Sequence, residues 1–246
     1  MENIRMVDIE KLQNMIDESS RIVFFGGAGV STERGIPDFR SVDGPYHQKY
    51  DYPPETILSH TFFVHHTEEF YRFYHDKMLC LDAKPNAAHK KLAELERAGK
   101  LSAIVTQNID GLHQMAGSRK VLELHGSIHR NFCQKCGAQY DAQYIKEGGL
   151  IPKCEKCGGV IKPDVVLYEE CLNDHVMSEA IYEIGQADMM IIGGTSLVVY
   201  PAAGLIHYYR GKKLVLINKS ATSQDRNANL VIQGKIGEIL NEIKVR

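Results

Sequence analysis

Short apolar runs separated by helix-length amphipathic stretches constrain this chain more than any other feature. Residues 22–25 (IVFF), 101–106 (LSAIVT), 120–124 (KVLEL), 187–192 (ADMMII) and 213–217 (KLVLI) have strand length and apolar character. Several are apolar at successive positions rather than alternate ones, the pattern of strands buried on both faces. Helix-period stretches lie among them: 7–19, with Ile9, Leu12 and Ile16 on one face, then 86–98, 174–185, 201–209 and 236–243. Strand and helix in alternation predict an α/β fold, a Rossmann-like doubly wound parallel sheet.

Two segments break the rhythm. Residues 41–80 hold a loop rich in proline and tyrosine followed by an aromatic helix, and residues 128–162 hold paired cysteines, glycines and no strong helix. The expected organisation over 1–246 is a discontinuous large part, 1–40, 81–127 and 163–246, interrupted by two smaller inserts with a ligand cleft between them. Composition agrees with a globular protein, at 43% hydrophobic and 24% charged residues. The net charge of −2 steers the chain to neither nucleic acid nor an anionic membrane. The first 20 residues carry charges every few positions and lack the apolar core of a signal peptide, so a cytoplasmic protein with no membrane partner is expected, and a monomer.

Cys133 and Cys136 form one Cys-x-x-Cys pair and Cys154 and Cys157 a second, with 17 residues between them (137 to 153). Each knuckle aims two thiolates at one tetrahedral ion, and four thiolates leave that ion no open position, so a structural zinc ribbon is expected. A thioredoxin-like redox pair and an iron–sulfur cluster are the rival readings. Cys80 and Cys171 have no partner motif.

In an open parallel sheet, ligands bind beyond the carboxyl ends of the strands. Those ends carry Gly26-Gly27-Ala28-Gly29, Thr106-Gln107-Asn108-Ile109-Asp110, His125-Gly126, Gly193-Gly194-Thr195-Ser196 and Asn218. Each has an ordinary alternative: a plain turn, a helix cap at Asn108 or Asp110, a core histidine at 125. Together they describe a polar site of nucleotide size. In the dehydrogenase fingerprint G-x-G-x-x-G the third glycine here is Thr32, and no acidic strand end follows about 20 residues on to hold a ribose. Hydride transfer is therefore disfavoured.

GAGVSTERGIPDFR (27–40), TQNIDGLH (106–113), LHG (124–126), the paired cysteines, GTSLVVYPAA (194–203) and LIN (216–218) closely resemble the sirtuins, NAD-dependent protein lysine deacylases, from about residue 8 to 243. The resemblance implies a Rossmann-like NAD-binding part, a zinc-ribbon module and a cofactor loop within 41–80 and the residues before it. It implies that Ala28 and Thr32 contact the pyrophosphate side of NAD, and that Phe39 and Arg40 cover the nicotinamide and phosphates. Gln107 and Asn108 would hold the nicotinamide ribose and a water, Asn108 with a catalytic part. Ile109 and Asp110 would line the carboxamide pocket. Thr195, Ser196 and Asn218 would bind the adenosine half, with Lys235 and Ile236 at the adenine. His125 would be the general base. The acyl oxygen of an acyl-lysine would displace nicotinamide, a ribose hydroxyl activated by His125 would attack next, and free lysine and O-acyl-ADP-ribose would leave.

By the same resemblance, an acetyl-lysine protein would bind as an extended peptide between residues 163–168 and 197–200, each donating backbone hydrogen bonds. Val165, Val166 and Leu167 would wall the acyl-lysine tunnel, with Leu197 and Val198 opposite. The first segment could instead be only a buried strand. Gly26, Arg34 and Glu169 stand where the family commonly has threonine, a small residue and glycine. Members that prefer acidic acyl groups carry Tyr-x-x-Arg in the aromatic helix; here Tyr71 is followed by Tyr74, which favours acetyl or another neutral acyl group. Two alternatives remain: a protein ADP-ribosyltransferase using the same NAD site, and a non-enzymatic NAD-binding zinc-ribbon module.

Overall fold

The structure is a computed structural model that describes residues 2–32 and 50–245. Its main sheet has six strands: β1 (Ile22–Gly26), β2 (Leu101–Thr106), β3 (Val121–Glu123), β7 (Met189–Gly193), β8 (Lys213–Asn218) and β9 (Leu230–Gln233). Every neighbouring pair is parallel, in the order β3-β2-β1-β7-β8-β9. Counting these strands alone, this is the 3-2-1-4-5-6 order of dinucleotide-binding folds, with the direction of winding reversing between β1 and β7.

All five residues of β1 and all five of β7 are buried. Successive side chains on a strand point to opposite faces, and β1 divides accordingly. Ile22 and Phe24 join one core with Leu12 and Ile16 of α1 (Glu2–Asp17), Leu92 and Leu95 of α5 (Ala87–Arg97) and Ile239 of α9 (Ile236–Asn241). Val23 and Phe25 join the other, with Ala180 and Ile184 of α8 (Asp174–Gln186) and Leu205. Helix starts follow sequence chemistry. Asn86 caps α5 by accepting from the His89 amide, while the His89 ring accepts from the Asn86 amide, a reciprocal box that satisfies two end donors. Asn173 caps α8 through the amides of His175 and Val176.

Three expectations need correction. The helix expected over 201–209 is a 3-10 helix, Ala202–Tyr208, its form tied to the packing of Ala202 and Leu205 into the core on one face of the sheet and not to its own periodicity. β9 was not anticipated, since Leu230, Val231 and Ile232 give only a three-residue apolar signal at the sheet edge. The cysteine-bearing segment contains a short helix, α7 (Ala142–Glu147), capped by the Asp141 carboxylate at the Tyr144 amide.

That segment also forms a second, antiparallel sheet: β4 (Gly126–Cys133) between β5 (Gln139–Tyr140) and β6 (Ile161–Val165). The other insert is α2 (Pro54–Ile57), α3 (His60–His65) and α4 (Thr67–Phe73), the last running on as a π-helical turn, Tyr74–Met78. The two inserts share one core. Phe63, Phe70, Tyr71, Phe73 and Tyr74 pack with Ile128, Ile145 and Ile161, and the Tyr71 hydroxyl donates to the Ile161 carbonyl.

Candidate active site

Because the main sheet is parallel, the carboxyl ends of β1, β2, β7 and β8 meet on one edge. The turns after β1 and β7 are in direct backbone contact there: the Gly29 amide donates to the Gly194 carbonyl at 2.8 Å. A Cβ on Gly29 would lie 2.8 Å from the Gly194 Cα, and Gly194 has φ +61 with no room for a side chain. Only glycines permit this crossing. The amides of Gly27, Gly29, Val30 and Ser31 all go to backbone acceptors, which leaves the Ala28 amide as the donor this turn does not use itself.

Gln107, just past β2, accepts from the Thr195 hydroxyl at 2.9 Å, and Asn218, at the end of β8, accepts from the Thr195 amide at 3.1 Å. Their carboxamide oxygens are thereby fixed. The other ends, Gln107 Nε2 and Asn218 Nδ2, are buried donors without a partner among the described residues. Orphaned buried donors are costly. The one on Gln107 is a donor that an acceptor-bearing ligand at this edge would satisfy.

Ser31 organises the opposite wall. Its hydroxyl donates to Asp110 Oδ2 at 2.7 Å and accepts from Asn108 Nδ2 at 3.1 Å, while His89 Nε2 stands 3.5 Å away. Asp110 Oδ1 accepts the amide of Leu112, the first residue of α6 (Leu112–Met115). Asn108 is 8% exposed. His89 packs at a tilt against the fully buried His113 ring, centroids 4.7 Å apart and planes 56° from parallel. Burial carries the His89 ring down to about 4 against the upward pull of Asp110, and holds His113 well below the usual imidazole range.

His125 occupies the two-residue link between β3 and β4. Its Nδ1 lies 2.9 Å from the Gln107 carbonyl, which can only accept, so Nδ1 carries the proton and Nε2 presents the lone pair. The His125 carbonyl accepts the Val166 amide, tying the histidine to the segment after β6.

These groups surround a cavity of about 310 Å³ between the main sheet and the inserts. Of the residues singled out in the sequence, Ala28, Gln107, Asn108, Ile109, Asp110, His125, Val165, Val166, Leu167, Thr195 and Ser196 line it. Thr32, Asn218, Lys235, Ile236, Leu197 and Val198 do not. Asn218 contributes through Thr195. Ile236 is 2% exposed and Leu197 5%, both packed in the cores, while Lys235 pairs with Glu238. Phe39, Arg40 and Arg34 lie outside the described residues. Ser31, Leu58 and Met78 also line the cavity and were not anticipated. Ser31 sits in the glycine motif and could have been weighed. Leu58 and Met78 reach the cavity only through the fold of the insert.

At the far end of the small sheet, the four thiols of Cys133, Cys136, Cys154 and Cys157 lie within 4.8 Å of one another, with sulfur pairs at 3.4 and 3.5 Å. A tetrahedral zinc with bonds of about 2.3 Å needs sulfur separations of about 3.8 Å, so the four-thiol donor set fits that ion with shifts of a few tenths of an ångström to about 1 Å. The Tyr140 hydroxyl donates to Cys154 Sγ at 3.0 Å, the kind of outer contact that orients a ligating thiolate.

A sequence model of the Sir2 family matches residues 27–201. A protein of Clostridium acetobutylicum, named NAD-dependent protein deacetylase, is 61% identical over 238 residues, covering 96% of this chain and 97% of that one. The chain belongs to the Sir2 family. A similarly named protein of Cutibacterium acnes is 51% identical over 237 residues, covering 96% and 97%. Among solved structures, a Sir2 with a deacetylated p53 peptide and 3'-O-acetyl ADP-ribose superposes with a TM-score of 0.88 at 39% identity, covering 96% of each chain. A Sir2 with a p53 peptide and NAD+ gives 0.84 at 41%, covering 94% and 95%.

In this sirtuin the Gly26 departure has a packing reason: a Cβ there would meet the Phe24 ring at 2.5 Å and Val30 at 3.2 Å. Tyr71 and Tyr74 are both buried in the shared insert core and neither lines the cavity. The sirtuin's nucleotide-sized cleft and fixed carboxamides thus come from separate strand ends that the parallel sheet brings to one edge, while none of the four thiols lines the cavity.

Proposed function

We propose that this chain is an NAD-dependent protein lysine deacetylase that moves an acetyl, or another neutral acyl group, from a lysine side chain to the ADP-ribose of NAD. Nicotinamide, free lysine and O-acyl-ADP-ribose are the products. NAD is the co-substrate and supplies the electrophilic ribose carbon. The observation that carries the reading is His125. Its tautomer is set by the Gln107 carbonyl, and it lies in one cavity with the fixed carboxamide of Gln107 and the apolar Val165 and Leu167.

The division of labour follows from the donors. Ala28 offers an amide, and Gln107 Nε2 and Asn218 Nδ2 offer buried donors, to the phosphates and hydroxyls of the dinucleotide. Thr195 and Ser196 serve the adenosine half beside them, and Thr32 the pyrophosphate side. Asn108, held by Ser31, keeps a donor and acceptor at the reacting ribose. Ile109 and Asp110 take the nicotinamide carboxamide, with Asp110 prevented from moving by Ser31 and the Leu112 amide. His125 Nε2 takes the proton of the attacking ribose hydroxyl. Val165, Val166 and Leu167 cover the acyl-lysine stem, with Val198 exposed on the facing loop. The cofactor-binding part is assigned to 1–40, 81–127 and 163–246, with the inserts 41–80 and 128–162 closing the cleft.

Preference for a neutral acyl group rests on the cavity lining, which includes no arginine among the described residues; its lysine, Lys77, is paired with Asp76 at 3.1 Å. The test mixes protein, NAD and an acetyl-lysine peptide and follows peptide mass and nicotinamide together. One nicotinamide per acetyl lost is the expected result. Nicotinamide release with the acetyl retained and ADP-ribose on a protein would replace the reading with ADP-ribosyl transfer.

A further inference from the structure

The wall of the cavity assigned to the acyl-lysine, residues 165–168, follows the small sheet only as far as Val166, whose amide continues the ladder beyond the Val165–Gly126 pair, and then leaves it. β6 ends at Val165, and the next amides go to three different places: Val166 to the His125 carbonyl at 3.0 Å, Leu167 to the Glu170 carboxylate at 2.9 Å, and Tyr168 to the Leu58 carbonyl at 2.9 Å. The His60 amide returns a bond to the Tyr168 carbonyl at 3.0 Å. All three amides are therefore spent inside the protein. A peptide strand laid along this segment meets the Val166 carbonyl as an acceptor, rather than the row of donors the sequence suggested.

Two consecutive carboxylates secure the end of the segment. Glu169 has φ +76, a left-handed conformation in which a side chain is unfavourable and glycine is the usual occupant. Its carboxylate accepts the Thr61 amide in the first turn of α3 at 2.8 Å. Glu170 accepts from His60 Nδ1 at 2.9 Å and Lys162 Nζ at 3.0 Å as well as from Leu167, and Lys162 Nζ also donates to the Val165 carbonyl at 3.0 Å. Burial raises the Glu170 carboxyl, but these donors carry it below the usual range. Both carboxylates line the cavity. A residue strained by its own side chain persists where that side chain supplies something the backbone lacks, and here it supplies the tie to α3.

We propose that Glu169 and Glu170 are positioning residues for the peptide substrate: together with His60, Thr61 and Lys162 they latch residues 165–168 to α3 and hold the acyl-lysine wall in place before substrate arrives. The proposal rests on the deacetylase reading above. It differs from a general stabilising role because both carboxylates, and residues 165–168 that they hold, line the cavity itself.

The test compares wild type, Glu169→Gly and Glu169→Gln. Glycine removes the tie and relieves the backbone; glutamine keeps a carbonyl oxygen for the Thr61 amide. Affinity for a fluorescein-labelled acetyl-lysine peptide is measured by anisotropy without NAD, and KM for peptide and for NAD, with kcat, by deacetylation. For Glu169→Gly, peptide Kd and KM are expected to rise about fivefold or more, with kcat and NAD KM within about twofold, the signature of lost binding that is uniform across the reaction. Glu169→Gln is expected to match wild type. Unchanged peptide affinity in Glu169→Gly, equal damage from both variants, or a parallel rise in NAD KM would overturn the latch. Wild type that binds the peptide yet removes no acetyl group would overturn the deacetylase reading alone, since the anisotropy comparison still decides the latch.

Discussion

His125 donates through Nδ1 to a carbonyl that has no proton to return, so any proton it accepts arrives at Nε2. His125→Ala is expected to lower deacetylation by roughly 10²- to 10⁴-fold, the ordinary worth of a positioned base, while calorimetric binding of NAD persists; an unaltered rate would remove His125 from the mechanism. Gln107→Ala deletes one of the two orphaned donors and is expected to raise NAD KM about tenfold, near the value of one hydrogen bond, in steady-state titrations of NAD. His89 gives a pH prediction. Its ring is held near 4 in the folded protein against about 6.5 when unfolded, so the unfolded chain binds the proton first. Stability from this site is complete above about pH 6.5 and is lost as pH falls toward 4. His113 acts in the same direction. Thermal melts between pH 7.5 and 4.5 should show a fall that is shallower in His89→Gln. The sequence displayed His125 and Gln107 plainly, because each follows an apolar strand. It could not display the Ser31 contact with His89, which joins residues 58 apart.

At the scale of elements, α8 is fastened by a residue that periodicity marks only as one more glutamate. Glu183 is 2% exposed and accepts from Arg21 at 2.8 Å and Lys120 at 2.7 Å, so the helix is tied to the entry of β1 and of β3. Burial would raise its carboxyl, but the two cations hold it below the usual range. Removing the carboxylate leaves two cations that can still reach water. Glu183→Ala is therefore expected to cost about 1–3 kcal/mol, less than a fully enclosed pair, as a lower denaturant midpoint with unchanged slope. Strands buried on both faces were legible because every residue of β1 and β7 is apolar or glycine. The 3-10 helix at Ala202–Tyr208 and the edge strand β9 were not, since their form depends on neighbours in the sheet and not on their own pattern.

At the scale of the molecule, the described residues form two cores against the main sheet and a third shared by the inserts. The third contains Cys133 and Cys154 beside Phe70, Tyr71 and Tyr74, so loss of zinc should be felt by rings that touch no cysteine. Stripping the ion with a chelator, or Cys154→Ser, is expected to abolish the near-ultraviolet dichroism of this aromatic cluster while the far-ultraviolet signal of the main sheet survives. A metal-free protein with an intact near-ultraviolet spectrum would contradict a structural zinc. The sequence marked the two inserts as separate departures from the strand and helix rhythm, and nothing in either predicted that they would bury one another. Their common interior has a consequence for inheritance. A recombinant that took the helical stretch from one relative and the cysteine-bearing stretch from another would join two half-interiors of different ancestry. The two stretches are therefore expected to travel together through evolution, and to be exchangeable only as a pair.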